Sequence, residues 1–448
     1  MDELKCYTIA PIFQPLEVGT DFYPIPMLQA DIDIINRTPC VTADAELIYI
    51  CTEVVRYIYI YIYVYIYIYI YCMYIYLIAY GGYQIRIGDT KLTKLMLEEC
   101  GITDLTQQHQ IWKTLFEAHL NQPLTANVWE NSLKGKLKQE FQLSASKLKK
   151  LAKFVYHNTA FSSSNIANIK SLFGKQHKNT NVNVRETSIS NAHSICDRLQ
   201  QISEHLQLWN VPQQCLFFDF TIYLDDFYDG LVFRALFQKT PHTIPQWVAS
   251  GGRYDKLYNQ FARFHQRNST ASPSTTKTQP KLLSTKEDPI HAIGLSIDME
   301  SIIEWRYDAE NTESYHPTVK LKQLPWVNQA LSRSAYVFVC TQGDSVHLMK
   351  ARVQLIGLLW KIQVPCECLY TENPALPLQL ERANKKYALW IAVIYEKYLV
   401  KPQTTTDTDS NDTTAQWTLE KIKLKNVRQK QEIDLKWDDI PKFFAKPK

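Results

Sequence analysis

The chain has 448 residues, of which 46% are hydrophobic and 21% charged, enough for two or three domains with cores of their own. Its formal net charge is only +4, which excludes a polycation that holds nucleic acid through a global field; binding of that kind needs a local patch. The ten cysteines are scattered without a CxxC pair and no secretory signal leads the chain, which points to a reducing cytosol and a cytoplasmic protein.

Residues 1–56 carry short strand-like runs, ending in Gln29–Ile35, whose apolar positions alternate with polar ones. Asp44-Ala-Glu-Leu-Ile reads as a helix start. From Tyr57 to Tyr80 the chain then alternates Tyr and Ile almost without interruption and without a charge. Such a run is long enough to span a bilayer as a helix, yet its tyrosine hydroxyls would lie unpaired in lipid on every face. Its period of two and its aromatic and β-branched content argue for an extended, aggregation-prone strand. A TA dinucleotide repeat encodes Tyr and Ile alternately, so the tract (residues 57–82) reads foremost as a translated repeat that damages the fold it interrupts. No membrane attachment is expected.

Gln84–Gly88 resumes as a strand. From Leu92 to about Gly174 the pattern is helical: Ser146 can cap a helix with Leu148, Leu151 and Val155 on one face and Lys149, Lys150 and Lys153 outside it. A helix over Ile189–Leu208 buries Ile189, Cys196, Leu199, Ile202 and Leu206, and carries His193 and His205 with no partner ligands. Three strands follow, Leu216–Tyr223, Gly230–Phe237 and Trp247–Asp255, whose tight connections predict an antiparallel sheet. The Ser/Thr/Pro/Lys-rich stretch 265–288 is a disordered loop by composition. His291–Glu300 gives a strand and then a short helix.

A second domain is expected from Ser332 onward. Ala335–Cys340 is a buried-type strand, and Asp344 can cap a helix presenting Val346, Met349, Val353, Ile356 and Trp360. A strand over Val364–Tyr370, a helix over Leu378–Lys386 and a strand over Leu389–Ile394 complete a strand–helix alternation. Cys366 and Cys368 would face one way on their strand, which reads as burial, since a metal needs further ligands. Thr404–Thr414 is an insertion, and the tail from Trp417 forms two strands and an aromatic helix.

Ala249-Ser-Gly-Gly-Arg-Tyr-Asp-Lys-Leu257, preceded by Asp226-Phe-Tyr-Asp-Gly230 and followed by Ala292-Ile-Gly294, resembles histidyl-tRNA synthetase, with Asp31-Ile-Asp33 and Asp44-Ala-Glu46 extending the likeness upstream. The likeness covers roughly residues 6–56 and 83–305. It implies a class II synthetase-like antiparallel sheet with helices, a helical insertion at about 90–175, and a mixed α/β, anticodon-binding-like domain over 332–448. By that likeness Asp226, Tyr228, Gly251, Gly252, Arg253 and Tyr254 line a ligand pocket, the glycines letting backbone approach a bound amino acid.

The departures point away from catalysis. A synthetase of this class uses arginines to clamp ATP and to hold the amino-acid carboxylate, because the transition state gathers negative charge on phosphorus. Where that family has its motif-two arginine this chain has Gln14; the arginine before the histidine-binding run is Tyr223; the motif-three arginine falls at Ser301, and glycines expected before it are Ser296 and Asp298. Aminoacylation should fail, and no cofactor is expected. Residues 1–56 read as a catalytic fold that lacks motif one.

Followed by this C-terminal domain, such a degenerate synthetase is similar to the regulatory part of the general-control, amino-acid-starvation-sensing protein kinases that phosphorylate the alpha subunit of translation initiation factor two. The likeness lies in Val346–Tyr370, Leu380–Tyr387 and Lys421–Lys430. It implies a serine/threonine kinase regulatory region that senses uncharged tRNA, binds ribosomes, forms a homodimer and acts on a kinase domain of the same parent protein. No Gly-rich loop, HRD or DFG occurs here, so the chain reads as a fragment without its kinase. Lys421, Lys423, Lys425, Arg428 and Lys430 are the expected RNA contacts, the first three projecting from one face of a strand; the competing reading is an edge strand protected by lysine. An active histidyl-tRNA synthetase and a regulatory paralogue of histidine biosynthesis are the alternative functions.

Overall fold

The structure is a computed structural model that describes residues 3–13, 26–67, 82–120, 126–173, 182–224, 227–237, 246–261, 290–303, 336–371, 373–386, 388–400 and 417–445. It divides into two compact units, residues 1–204 with 211–314, and residues 205–210 with 315–448. Gln14, Asp226, Ser332 and the stretches 265–288 and 404–414 lie outside the described residues.

In the first unit, strand β1 (Glu3–Phe13) pairs with β2 (Pro26–Asn36) in full register from Glu3↔Asn36 to Phe13↔Pro26. With β3 (Tyr83–Asp89), β4 (Leu216–Phe218), β5 (Leu231–Phe237), β6 (Gln246–Arg253) and β7 (His291–Asp298) they form one sheet in the order β1-β2-β7-β6-β5-β3-β4. Neighbours are antiparallel except β3 and β4, which run parallel and make the sheet mixed. Strand β4 is far shorter than the run Leu216–Tyr223 suggested. Its backbone turns away after Phe218 because the Asp219 carboxylate captures both the N–H and the hydroxyl of Thr221, at 2.7 and 2.6 Å.

Helix α1 (Val41–Tyr67) covers the apolar sheet face made by Ile34, Ile85, Ile87, Phe233, Ala235, Ala249, Leu295 and Ile297, all buried. Residues 57–67 are thus helical, which corrects the extended reading of that part of the tract. A helix already nucleated from Val41 propagates at little cost, whereas a strand would need a pairing partner. The flanking elements α1 and β3 are both formed, so the fold on either side is not damaged; residues 68–81 lie outside the described ones. Among the described residues no helix is long and apolar enough to cross a membrane.

Next come α2 (Thr90–Glu99), α3 (Leu105–Leu120), a π-helical turn at Trp129–Leu133 leading into α4 (Lys134–Glu140), α5 (Ala145–Val155), α6 (Ser163–Lys170) and α7 (Val182–Leu208). Asp89 caps α2 by accepting from the N–H groups of Lys91 and Leu92. Helix α5 is capped by Ser144 rather than Ser146, since Ser144 has extended backbone and accepts from the Lys147 N–H. Leu148, Leu151, Phe154 and Val155 are buried beneath it as the periodicity implies.

The second unit holds β8 (Val337–Gln342), β9 (Cys366–Cys368), β10 (Trp390–Tyr395), a two-stranded ladder of β11 (Leu399–Val400) with β12 (Thr418–Leu419), and the hairpin of β13 (Lys421–Asn426) with β14 (Gln431–Lys436). Five of these form a mixed sheet in the order β14-β13-β10-β8-β9. β8, β9 and β10 run parallel through α8 (His347–Lys361) and α9 (Leu376–Lys385), while β13 and β14 add antiparallel pairing. The start of α8 differs from expectation. Ser345 accepts from the His347 N–H, Asp344 gives its own N–H to Glu396, and Val346 stands 74% exposed outside the helix. Cys366 and Cys368 are both buried on β9 as thiols, not joined in a disulfide. The terminal helix α10 (Ile440–Ala445) sets Phe443 edge-on to Trp390 at 5.4 Å.

Candidate functional site

Strand alternation divides the GGRY run between the two faces of the first unit's sheet. The register Arg86↔Arg234↔Ser250↔Ser296↔Asp31 defines a polar row across five strands, with Gly88↔Val232↔Gly252↔Gly294↔Asp33 beside it. Gly252 faces this polar side with Tyr228 and Tyr254, while Gly251 and Arg253 point to the α1 side. The family-derived pocket set is therefore not one cluster.

Arg253 is 3% exposed and anchors a buried ion network. It donates to Asp44 at 2.6 Å and to Asp255 at 3.3 Å; Asp44 is also gripped by Arg198, and Asp255 by His291 at 3.0 Å. Gly251 is required for close packing: a Cβ there would lie 2.4 Å from the Gly294 carbonyl and 2.5 Å from the Phe233 ring. A Cβ on Gly252 would lie 2.6 Å from the Leu231 carbonyl and 3.0 Å from Tyr228, so both glycine surfaces are filled by the protein itself.

The polar face has an acidic end and a basic end. At the acidic end Tyr254 donates to Asp33 at 2.5 Å and Ser296 donates to Asp31 at 2.7 Å. Burial pushes the Asp33 carboxyl up; the Tyr254 bond works against that rise and the nearby Asp31 adds to it. At the basic end Arg234 lies against the rings of Phe116 (4.9 Å) and Trp247 (5.0 Å), and Arg86 sits 5.6 Å from the Trp247 ring. Tyr223 completes this stack, edge-on to Trp112 and 2.9 Å from His109 Nε2 through its hydroxyl.

Behind Arg86 lies a second buried network that sequence reading missed. Asp219 meets His119 at 3.1 Å and Arg86 at 3.5 Å, and accepts from Asn158 at 2.9 Å as well as from Thr221. Burial alone would raise the Asp219 carboxyl, but His119, Arg86 and Thr221 outweigh it and hold it well below the usual range. The partners come from four separate segments, so no local spacing announces them.

Ser301 turns inward to Asp298, donating its hydroxyl at 2.7 Å and its N–H at 3.1 Å. Asp298 thereby caps the helical residues 299–303, and Ser301 offers no cation. Among the described residues no group of three His, Cys, Asp or Glu side chains is placed to hold a metal.

On the second unit, Lys421, Lys423 and Lys425 share one face of β13 above buried Ile422 and Leu424, as alternation predicts. They are engaged by β14: Lys421 with Asp434 at 2.9 Å, Lys423 and Lys425 with Glu432 at 3.4 Å each. Strand β13 lies between β10 and β14 and is not an edge, which removes the edge-protection reading. Arg428 and Lys430 stand exposed in the hairpin turn, off the strand, where Asn426 accepts from the N–H groups of Arg428 and Gln429.

Part of the chain is similar to known proteins. The family model for histidyl-tRNA synthetase matches residues 80–272. The cytoplasmic histidine–tRNA ligase of Dictyostelium discoideum is 26% identical over 201 residues, 44% of this chain and 32% of that protein. The mitochondrial histidine–tRNA ligase of Pongo abelii is 23% identical over 249 residues, 54% of this chain and 38% of that protein. The matched segments thus span about a third of these relatives' length. A crystal structure of histidyl-tRNA synthetase from Nostoc sp. PCC 7120 aligns with 98% of this chain and 77% of its own, at 16% identity and a TM-score of 0.45. Residues 80–272 are therefore similar to histidyl-tRNA synthetase, and the second unit is a mixed α/β region.

Proposed function

We propose that this chain is a non-catalytic, synthetase-like regulatory region that senses uncharged tRNA and governs a kinase acting on the alpha subunit of translation initiation factor two. The observation that carries the reading is the state of the positions where the synthetase resemblance expects arginines. Tyr223 is spent on His109 and an aromatic stack, and Ser301 is spent on Asp298. Both are neutral, and the sheet face between them carries the carboxylates Asp31 and Asp33. A triphosphate gathering negative charge would meet acids where it needs cations. The two arginines on that face, Arg86 and Arg234, are held against aromatic rings, and Arg86 also faces Asp219.

RNA contact is assigned to the second unit's hairpin, where phosphates would exchange with Asp434 and Glu432 for Lys421, Lys423 and Lys425, with Arg428 and Lys430 at the turn. Ribosome binding, pairing of two copies and coupling to a kinase domain belong to the same proposal. The test is histidine-dependent ATP–pyrophosphate exchange alongside filter binding of charged and uncharged tRNA. The proposal expects no exchange and tighter binding of uncharged tRNA. Exchange above background would make the chain an active synthetase. Neither exchange nor tRNA binding, with capture of a phosphoribosyltransferase instead, would favour a histidine-biosynthesis regulator.

A further inference from the structure

The lysine face of the β13–β14 hairpin breaks a rule of strand pairing at one end. Lys421 and Lys436 stand directly opposite each other across the ladder, and like charges so placed destabilise a pair of strands. The other cross-strand pairs on this face are complementary: Lys423 faces Asp434, and Lys425 faces Glu432. Lys436 is exposed and, among the described residues, makes no ion pair or side-chain hydrogen bond.

A third cation reaches the same corner from another segment. The chain leaves β10 through a tight turn, Glu396–Tyr398, that buries the Tyr398 ring and leaves Lys397 exposed. The Lys397 ammonium lies 5.4 Å from the centre of the Tyr398 ring and 5.3 Å from that of Tyr395, while Lys421 lies 4.8 Å from Tyr398. Tyr398 is itself fixed, edge-on to Tyr395 at 5.3 Å and accepting at its carbonyl from the Glu420 N–H at 3.0 Å.

Carboxylates are fewer there. Asp434 accepts from Lys421 at 2.9 Å, and that hydrogen bond, with the charges of Lys421, Lys423 and Lys397, holds its carboxyl below the usual range. Glu432 is taken by Lys423 and Lys425, and Glu396 accepts from the Asp344 N–H. Glu420 is the other acid that Lys421 feels. Among the described residues, Lys397, Lys421 and Lys436 thus meet two carboxylates, one of which Lys423 also faces.

We propose that Lys397 and Lys436 are further RNA contacts, forming with Lys421 a phosphate-binding corner at the end of the hairpin remote from its turn. Backbone phosphates enter where the like-charged pair is left uncompensated, and displace Asp434 from Lys421. The line of cations continues along β13, about 17 Å at 3.4 Å per residue, to Arg428 and Lys430 at the turn. The assignment, which rests on reading the hairpin as an RNA surface, adds two lysines from outside β13.

The experiment is filter binding of uncharged tRNA to the full chain over a range of salt. Lys397→Gln and Lys436→Gln should each weaken binding and lower the salt slope by about 0.9. Lys436→Gln also removes the like-charged pair, so its thermal midpoint should be no lower than that of the unsubstituted chain. Asp434→Asn should tighten binding about two- to fivefold. Lys385→Gln, whose lysine pairs with Glu381 on α9, should leave the slope unchanged. A slope that responds to Lys421, Lys423 and Lys425 but not to Lys397 or Lys436 would overturn the corner and leave the RNA reading standing. Unchanged or weaker binding by Asp434→Asn would overturn it too, and absence of tRNA binding by the unsubstituted chain would remove both.

Discussion

In the first unit Arg253, Arg198 and Asp44 meet Asp255 and His291 behind a sheet face covered by α1, whereas in the second unit Lys421, Lys423 and Lys425 meet Asp434 and Glu432 on an open hairpin. The groups are chemically alike and their environments are not. Desolvated charges with fixed partners specify position, because losing one partner strands the other in a medium that cannot solvate it. Solvated pairs are screened, exchange partners readily and leave their cations available to phosphate. The buried set is thus suited to fixing architecture, and the exposed set keeps its cations open to exchange.

The sharpest way to break this contrast is Asp44→Ala, which leaves buried Arg253 with Asp255 alone and should cost about 3 kcal/mol in chemical denaturation. A loss under about 1 kcal/mol would mean that the network is not a structural anchor. The second buried set sharpens the point through pH. Asp219 titrates lower folded than unfolded, so its contribution is present above the unfolded carboxylate value of about 3.9 and is lost as pH falls toward its folded value. Acid unfolding of Asp219→Asn should lack that limb; an unaltered profile would contradict the assignment. Gly251→Ala should cost about 1–3 kcal/mol by driving a methyl into Phe233 and the Gly294 carbonyl, and Phe233→Leu should recover part of the loss. At the small end, replacing Lys421, Lys423 and Lys425 singly by Gln should leave the thermal midpoint unmoved. The salt slope of tRNA binding should fall by about 0.9 for each lysine removed. A shifted midpoint with an unchanged slope would move these lysines to the structural side.

Periodicity carried the assignment where one face is covered, on α5, α7 and β13, whereas β5 is buried on both faces and α8 buries Leu348, Ala351, Leu355 and Leu359 beside the expected Val353 and Ile356. The cap of α5 lies two positions early at Ser144, and α8 has Val346 at its N-cap position without a side-chain cap, since polar residues cluster at each helix start and only the backbone angle selects among them. The site was legible as a block of residues but not as a geometry. Arg253 and Asp44 are 209 positions apart, and Asp219 and Arg86 are 133 apart, so nothing local says that they pair. Strict strand alternation within Gly251–Tyr254 is enough on its own to separate Arg253 from Tyr254, because neighbouring residues on a strand take opposite faces.

Helix α1 is fastened near its beginning, where Asp44 is clasped from two sides, while β3 is fastened independently by pairing with both β4 and β5. Neither attachment relies on the distance along the chain between Tyr67 and Tyr83. The helix start and the strand are each seated by contacts from distant parts of the chain, so each keeps its place without help from the other.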